Sequence, residues 1–107
     1  QVVAALISGN CVLAKPSSQS TMIAWMTVQL LHKAGIPTNV LHLIPAPGEL
    51  IQKRLLPDPR VAGVCFTGST ETAWQINRQL AARTSAIVPF IAETGGQNAM
   101  IVDSSAL

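Results

Sequence analysis

A carboxylate stands beside a pair of glycines near the end of this chain. The motif Glu-Thr-Gly-Gly-Gln-Asn occupies residues 93–98, between two apolar segments. Glycine lets backbone approach a ligand closely, so a buried or half-buried Glu93 beside this turn is a reasonable general base. An ordinary Gly-Gly connection with an incidental acid has the same sequence, and the motif alone leaves both interpretations open.

Further polar features could also contact a ligand. Gly68 and Ser69 precede a predicted helix, whose first N–H groups and dipole could receive a phosphate. An ordinary helix cap by Ser69 explains the same two residues. Lys15 is either a cation at the mouth of a sheet or a surface lysine, and Gly48 either admits a ligand ring or starts a helix.

The elements that must position these residues alternate between apolar runs and helical patterns. Strands are predicted at residues 11–15, 40–44, 61–66 and 87–92, and residues 99–102 begin a fifth strand or lie beside the fourth. Helices are predicted at 1–7, capped by Gly9 and Asn10, at 22–35, ending at Gly35, and at 50–56 and 70–83. Apolar strands separated by helices predict an α/β fold with a parallel sheet covered on both faces. Ligands bind beyond the carboxyl ends of such strands, where Lys15, Gly68, Ser69 and Glu93 are predicted to lie.

Composition narrows the class of protein. The chain has 107 residues, of which 49% are hydrophobic and 11% charged, more apolar than a free-standing domain of this size needs. We therefore expect an internal fragment of a larger protein, with exposed apolar surface. The seven Lys and Arg residues are scattered and give a net charge of +2, which argues against a nucleic-acid partner.

Cysteine and histidine usage argues against a metal site. Cys11 and Cys65 lie far apart in apolar runs without His companions, which predicts buried free thiols in a reducing compartment. The apolar opening at residues 1–14 lacks a charged leading region and is too short for a spanning helix. We expect a cytoplasmic protein, and peripheral membrane association of the parent stays open.

Four motifs, taken in order, resemble the aldehyde dehydrogenase superfamily along essentially the whole chain. They are Gly-Asn-Cys-Val-Leu-Ala-Lys-Pro-Ser at 9–17, Ala-Gly-Ile-Pro at 34–37, Phe-Thr-Gly-Ser-Thr-Glu at 66–71 and Glu-Thr-Gly-Gly-Gln-Asn at 93–98. Residues 91–107 resemble most closely the L-glutamate γ-semialdehyde dehydrogenase half of the bacterial proline utilization A family. The resemblance implies that residues 1–107 are part of a Rossmann-like NAD-binding domain.

The resemblance also implies a role for each candidate residue. Lys15 would contact the adenosine ribose of NAD, and Gly68 and Ser69 would receive its pyrophosphate at the start of their helix. Glu93 would be the general base that prepares water for thioester hydrolysis, and Gly95 would lie in the adjoining substrate-side turn.

Ser18 and Gly48 complete the implied cofactor site. Many relatives carry Glu, a second ribose ligand, where this chain has Ser18, so that contact is weaker here or made differently. Many also carry Lys where Gln97 stands. These departures concern cofactor detail, and the preference between NAD and NADP stays open.

The implied reaction needs residues outside this chain. The nucleophilic Cys would follow Leu107 and the oxyanion-binding Asn would precede Gln1, and Cys11 and Cys65 do not match the nucleophile. In the parent, that Cys would form a thiohemiacetal with L-glutamate γ-semialdehyde. Hydride transfer to NAD and Glu-assisted thioester hydrolysis would then yield L-glutamate. We expect the fragment alone to be inactive.

Two alternatives to this function stay open. Other aldehyde or semialdehyde dehydrogenases share three of the four motifs, and a degenerate dinucleotide-binding module could keep cofactor affinity without chemistry. The expected partners are a small aldehyde, the remainder of the parent enzyme and further copies of it in a homo-oligomer. FAD is expected only if the parent also carries a proline dehydrogenase domain.

Overall fold

The chain folds into two compact units, Gln1–Leu55 and Leu56–Leu107. The computed structural model describes residues 1–96 and 99–105. The first unit contains α1 (Val2–Ile7), β1 (Val12–Ala14), a 3-10 turn (Ser18–Ser20), α2 (Thr21–Lys33), β2 (Leu41–Leu43) and α3 (Gly48–Arg54). The second unit contains β3 (Val64–Gly68), α4 (Thr70–Ala81) and β4 (Phe90–Thr94).

Each unit contains a pair of parallel strands. β1 pairs with β2 in the first unit, and β3 pairs with β4 in the second. A helix joins the strands of each pair, and α2 contacts β2 whereas α4 contacts both β3 and β4. Such a crossover is needed because parallel strands must both start at the same edge. The predicted α/β alternation with parallel pairing is therefore confirmed.

Glycines end α1 and α2, as the sequence predicts. Gly9 has φ +82° and Gly35 has φ +106°, in the left-handed region that favours glycine. The N–H of each bonds to a carbonyl in the last turn of its helix, Leu6 O for Gly9 and His32 O for Gly35, both at 3.0 Å. These bonds satisfy carbonyls that a helix end would otherwise leave without partners.

Both units have small apolar cores. Val28 of α2 and Leu41 of β2 are buried in the first unit, and Leu56, Ala73 and Ile76 are buried in the second. Many larger apolar side chains stay exposed, among them Met22, Ile23, Met26 and Leu30 of α2. The expected exposed apolar surface is thus present. Within the described ranges, no helix combines the length and apolar character needed to cross a membrane.

The strands near the end of the chain differ from the predictions. β3 and β4 both begin and end later than predicted, because their pairing starts where Val64 N–H donates to Pro89 O at 3.0 Å. The predicted strand at 99–102 is wrong, since residues 99–103 form no strand. Met100, Ile101 and Val102 are apolar enough for a strand but are largely exposed.

The predicted burial of the two thiols is also wrong. Cys11 and Cys65 are free, as expected, but both are exposed. Side chains alternate between the two faces of a strand. Val64 and Phe66 occupy the half-buried face of β3, so Cys65 lies on the opposite, exposed face. Cys11 lies just before β1, outside its half-buried positions Val12 and Ala14.

An ion pair closes the turn before β3. Arg60 donates from Nε to Asp58 Oδ1 at 3.0 Å and from Nη2 to Asp58 Oδ2 at 2.7 Å. The Arg60 N–H donates to the same Oδ1 at 2.9 Å, and Val61 N–H donates to Asp58 O at 3.1 Å. These hydrogen bonds from Arg60 lower the pKa of Asp58 from its ordinary 3.8 to about 2.

This pKa predicts how the stability of the turn depends on pH. Because the pKa of Asp58 is lower in the folded chain, its charged form stabilises the fold above about pH 4. That contribution is lost as the pH falls through about 2. Asp58→Asn should therefore lower Tm near neutral pH, and its difference from the original protein should shrink towards pH 2. Arg60→Gln removes the same ion pair and should behave alike; a Tm difference that is constant over this pH range would contradict the assignment.

Candidate functional site

The carboxyl ends of β3 and β4 bring three predicted site residues of the second unit to one edge. In the parallel register, Thr67 lies opposite Glu93 and Gly68 lies opposite Thr94. Gly68 ends β3, and Ser69 follows it as the N-cap of α4. A helix N-terminus and a carboxylate therefore lie at the same end of a parallel pair, where ligands bind in folds of this class.

Two details of this edge correct the predictions. Glu93 lies inside β4 rather than after it, and β3 continues through Thr67 and Gly68 rather than ending at Phe66. Backbone pairing continues through these residues because the ladder uses N–H and C=O groups and needs no apolar side chain. Glu93 is also exposed, not buried or half-buried. Its register partner Thr67 is exposed as well, so both lie on the outer face of the pair.

The ring of Phe66 lies close to Gly68 and leaves no room for a side chain there. A Cβ placed on Gly68 would lie 2.5 Å from Phe66 Cζ and 3.2 Å from Phe66 Cε1 and Cε2. Residues two apart in a strand share a face, so the Phe66 ring lies over the Cα of Gly68. Glycine at this position therefore leaves room for the ring and keeps the backbone free of a side chain where β3 meets α4. Sequence reasoning missed Phe66, although its spacing of two from a glycine was a usable signal.

The Ser69 hydroxyl caps α4. Ser69 Oγ accepts a hydrogen bond from Thr72 N–H at 3.2 Å and donates to Thr72 Oγ1 at 2.9 Å. The helix-cap interpretation is thus confirmed for the side chain. A phosphate at this helix start would be received chiefly by backbone N–H groups, since those of the first turn have no carbonyl acceptors within the helix.

Lys15, Ser18 and Gly48 lie near the carboxyl ends of β1 and β2 in the first unit. Lys15 directly follows β1, is exposed, and donates from Nζ to Pro16 O at 3.0 Å. Ser18 begins the 3-10 turn and is exposed, and its carbonyl accepts from Thr21 Oγ1 at 3.1 Å. Gly48 is the first residue of α3. A Cβ at Gly48 would meet no atom within 4 Å, so steric room does not require glycine there.

Gly95 directly follows β4 and is exposed. A Cβ on Gly95 would meet no atom within 4 Å, and its φ lies outside the left-handed region. The fold of the described residues therefore does not itself require glycine here. Gln97 and Asn98, which end the same motif, lie outside the described residues. Over residues 1–96 and 99–105, no three His, Cys, Asp or Glu side chains form a group that could hold a metal ion.

The parallel βα units and the helix start at Gly68–Ser69 are typical of α/β folds that bind ligands at the carboxyl ends of their strands. The model of the aldehyde dehydrogenase family matches residues 1–106, and the chain belongs to this family.

Known proteins narrow the relationship further. The chain is 52% identical over 110 residues to the bifunctional protein PutA of Salmonella typhimurium, and the match covers 100% of this chain and 8% of that protein. It is 36% identical over 111 residues to 1-pyrroline-5-carboxylate dehydrogenase of Geobacillus thermodenitrificans, covering 97% of this chain and 21% of that protein. A crystal structure of a variant of Bradyrhizobium japonicum proline utilization A matches with a TM-score of 0.85 and 55% identity, over 90% of this chain and 10% of that one.

Substitutions at Ser69 test the cap. Ser69→Ala should lower the free energy of unfolding by ~1 kcal/mol, because the Thr72 N–H loses its acceptor. Ser69→Asn, which keeps a capping oxygen, should restore most of this loss. Urea unfolding of the two variants measures the difference. Equal destabilisation by Asn and Ala would show that the hydroxyl does not act as a cap.

Proposed function

We propose that this chain is part of the NAD-binding domain of an enzyme that oxidises L-glutamate γ-semialdehyde to L-glutamate in proline catabolism. Family membership and the similarity to PutA and 1-pyrroline-5-carboxylate dehydrogenase support the reaction class and the substrate. The parallel register supports the proposed site, because it puts Glu93 next to the strand that leads into the N-terminus of α4.

The residues present fit a dinucleotide. The backbone at Gly68 carries no side chain, and the first turn of α4 offers N–H groups and the positive end of a helix dipole to a pyrophosphate. The exposed Lys15 ammonium can donate to a ribose hydroxyl, with Ser18 and Gly48 at the same end of the strand pair. When bound, NAD supplies the hydride acceptor.

Glu93 serves the hydrolytic half of the reaction. The nucleophile of this mechanism is a Cys outside residues 1–107, which carries the acyl group as a thioester. Water attacks the thioester carbon, the Glu93 carboxylate takes a proton from that water, and the Cys thiolate leaves as L-glutamate forms. The exposed position of Glu93 on the outer face of the strand pair gives its carboxylate access to water.

The proposal extends to the parent polypeptide, its location, its assembly and its second domain. The chain spans 8% of the PutA relative, so we propose that it is part of a longer polypeptide. A cytoplasmic location and assembly into homo-oligomers belong to the same proposal. We propose that the parent is bifunctional like its PutA relatives, in which case FAD belongs to its proline dehydrogenase domain.

A substitution of Lys15 tests the cofactor site. In the full-length enzyme, Lys15→Ala should weaken NAD binding about ten- to a hundredfold, because a hydrogen bond from a charged donor contributes ~1.5–3 kcal/mol. Lys33→Ala, at an exposed lysine in the last turn of α2, is the matched control and should bind NAD normally. Calorimetric titration with NAD measures both. An unchanged Kd for Lys15→Ala would refute the placement of the ribose.

A substitution of Glu93 tests the reaction. With L-glutamate γ-semialdehyde, full-length Glu93→Gln should keep a first burst of NADH but lose steady-state turnover by about 10²- to 10⁴-fold, since hydrolysis lacks its base. Asp103→Asn, at an exposed acid outside the candidate site, is the control and should turn over normally.

Stopped-flow NADH absorbance measures the burst and the steady state together. A preference of the unsubstituted enzyme for propanal would favour another aldehyde dehydrogenase. Binding of NAD without turnover of any aldehyde would favour the non-catalytic module.

A further inference from the structure

An arginine at the far end of the second unit ties together the two segments that lead into β3 and β4. Arg83 follows α4 and lies in the connection to β4, and its side chain is partly buried. Its Nη1 donates to Val61 O at 3.1 Å, and its Nη2 donates to Val61 O at 3.2 Å and to Asp58 O at 3.1 Å. Its Nε donates to Ser85 Oγ at 3.0 Å. One guanidinium thus joins the turn before β3 to the segment before β4.

The hydrogen bonds of Arg83 lie at the edge where β3 and β4 begin, which affects the register of the two strands. Parallel strands start at the same edge, and their backbone ladder repeats, so the ladder alone does not select one register. A slip of one residue moves a strand by about 3.3 Å and turns its side chains to the other face. The half-buried Val64 and Phe66 oppose a slip of one residue in β3, whereas a slip of two residues keeps the same faces. Contacts at the starting edge therefore contribute to the choice of register.

Other contacts at the same edge leave part of this choice open. Val64 N–H donates to Pro89 O at 3.0 Å, and a Cβ on Gly63 would lie 3.3 Å from Pro89 Cγ. These contacts join residues directly adjacent to β3 and β4. Arg83 instead holds the turn at Asp58 and Val61, which lies earlier in the chain than Gly63 and Val64. The guanidinium suits this role because its rigid planar fork can bond two carbonyls at once.

We propose that Arg83 is a positioning residue for Glu93. By holding the turn at Asp58 and Val61, it sets the register in which Thr67 lies opposite Glu93 and Gly68 opposite Thr94. This inference rests on the proposed role of Glu93 as the base in thioester hydrolysis. Arg83 acts at the starting edge of the strands, and the effect reaches the chemistry at their carboxyl edge through β3 and β4.

Kinetics of the full-length enzyme separate positioning from a merely structural role. Arg83→Met should lower steady-state turnover about ten- to a hundredfold, because small misplacements of a catalytic group have effects of that order. The NADH burst rate and the Kd for NAD should match those of Arg78→Met, a control at an exposed arginine in the last turn of α4. Arg83→Lys keeps the charge but not the fork, and its turnover should lie between those of Arg83→Met and the original enzyme.

A double-substitution cycle with Glu93→Gln completes the test. If Arg83 acts through Glu93, adding Arg83→Met to Glu93→Gln should lower turnover no further. Additive losses, or a lowered Tm with normal turnover in both Arg83 variants, would overturn the inference while leaving Glu93 as the base. Normal turnover in Glu93→Gln alone would instead overturn the proposed function, and this inference with it.

Discussion

Backbone pairing between β3 and β4 places Thr67 opposite Glu93 and Gly68 opposite Thr94, and the candidate site of the second unit depends on that register. The pairing brings a carboxylate from one strand next to a helix start that follows the other. Neither residue needs a partner in the core, because main-chain hydrogen bonds hold both strands to their ends. Backbone pairing thus holds this edge together, and the Glu93 side chain is exposed there.

Glycine at position 68 shows how packing and binding can demand the same residue. Glycine where a strand leads into a helix is usually explained by close approach of a ligand to backbone. Here the Phe66 ring already occupies the space of a Cβ, so the fold demands glycine before any cofactor is considered. Packing and binding thus favour the same residue for different reasons.

The two longer helices, α2 and α4, differ in how much of their apolar surface is buried. α4 buries Ala73 and Ile76 and carries polar residues over much of the rest of its surface. α2 buries Val28 and half-buries Leu31, yet it also exposes Met22, Ile23, Met26 and Leu30. A helix that is apolar all round is normally buried in a larger structure. This agrees with a chain that spans 8% of its PutA relative, where much more polypeptide is present to cover that helix.

The sequence by itself determined the alternation of strands and helices and the glycines that end α1 and α2, because apolar periodicity and helix-end glycines are local properties of the chain. The order of its motifs also indicated the family. It also indicated Lys15, Ser69 and Glu93 as site residues, through their types and their places near strand ends. Tertiary structure decided that Glu93 lies within β4, that Cys65 is exposed, and that residues 99–103 form no strand. Phe66 over Gly68 and Arg83 on the turn before β3 also became visible only in the fold. Each of these features depends on strand pairing and register. Pairing and register involve segments far apart in the sequence, so they are decided only when the chain folds.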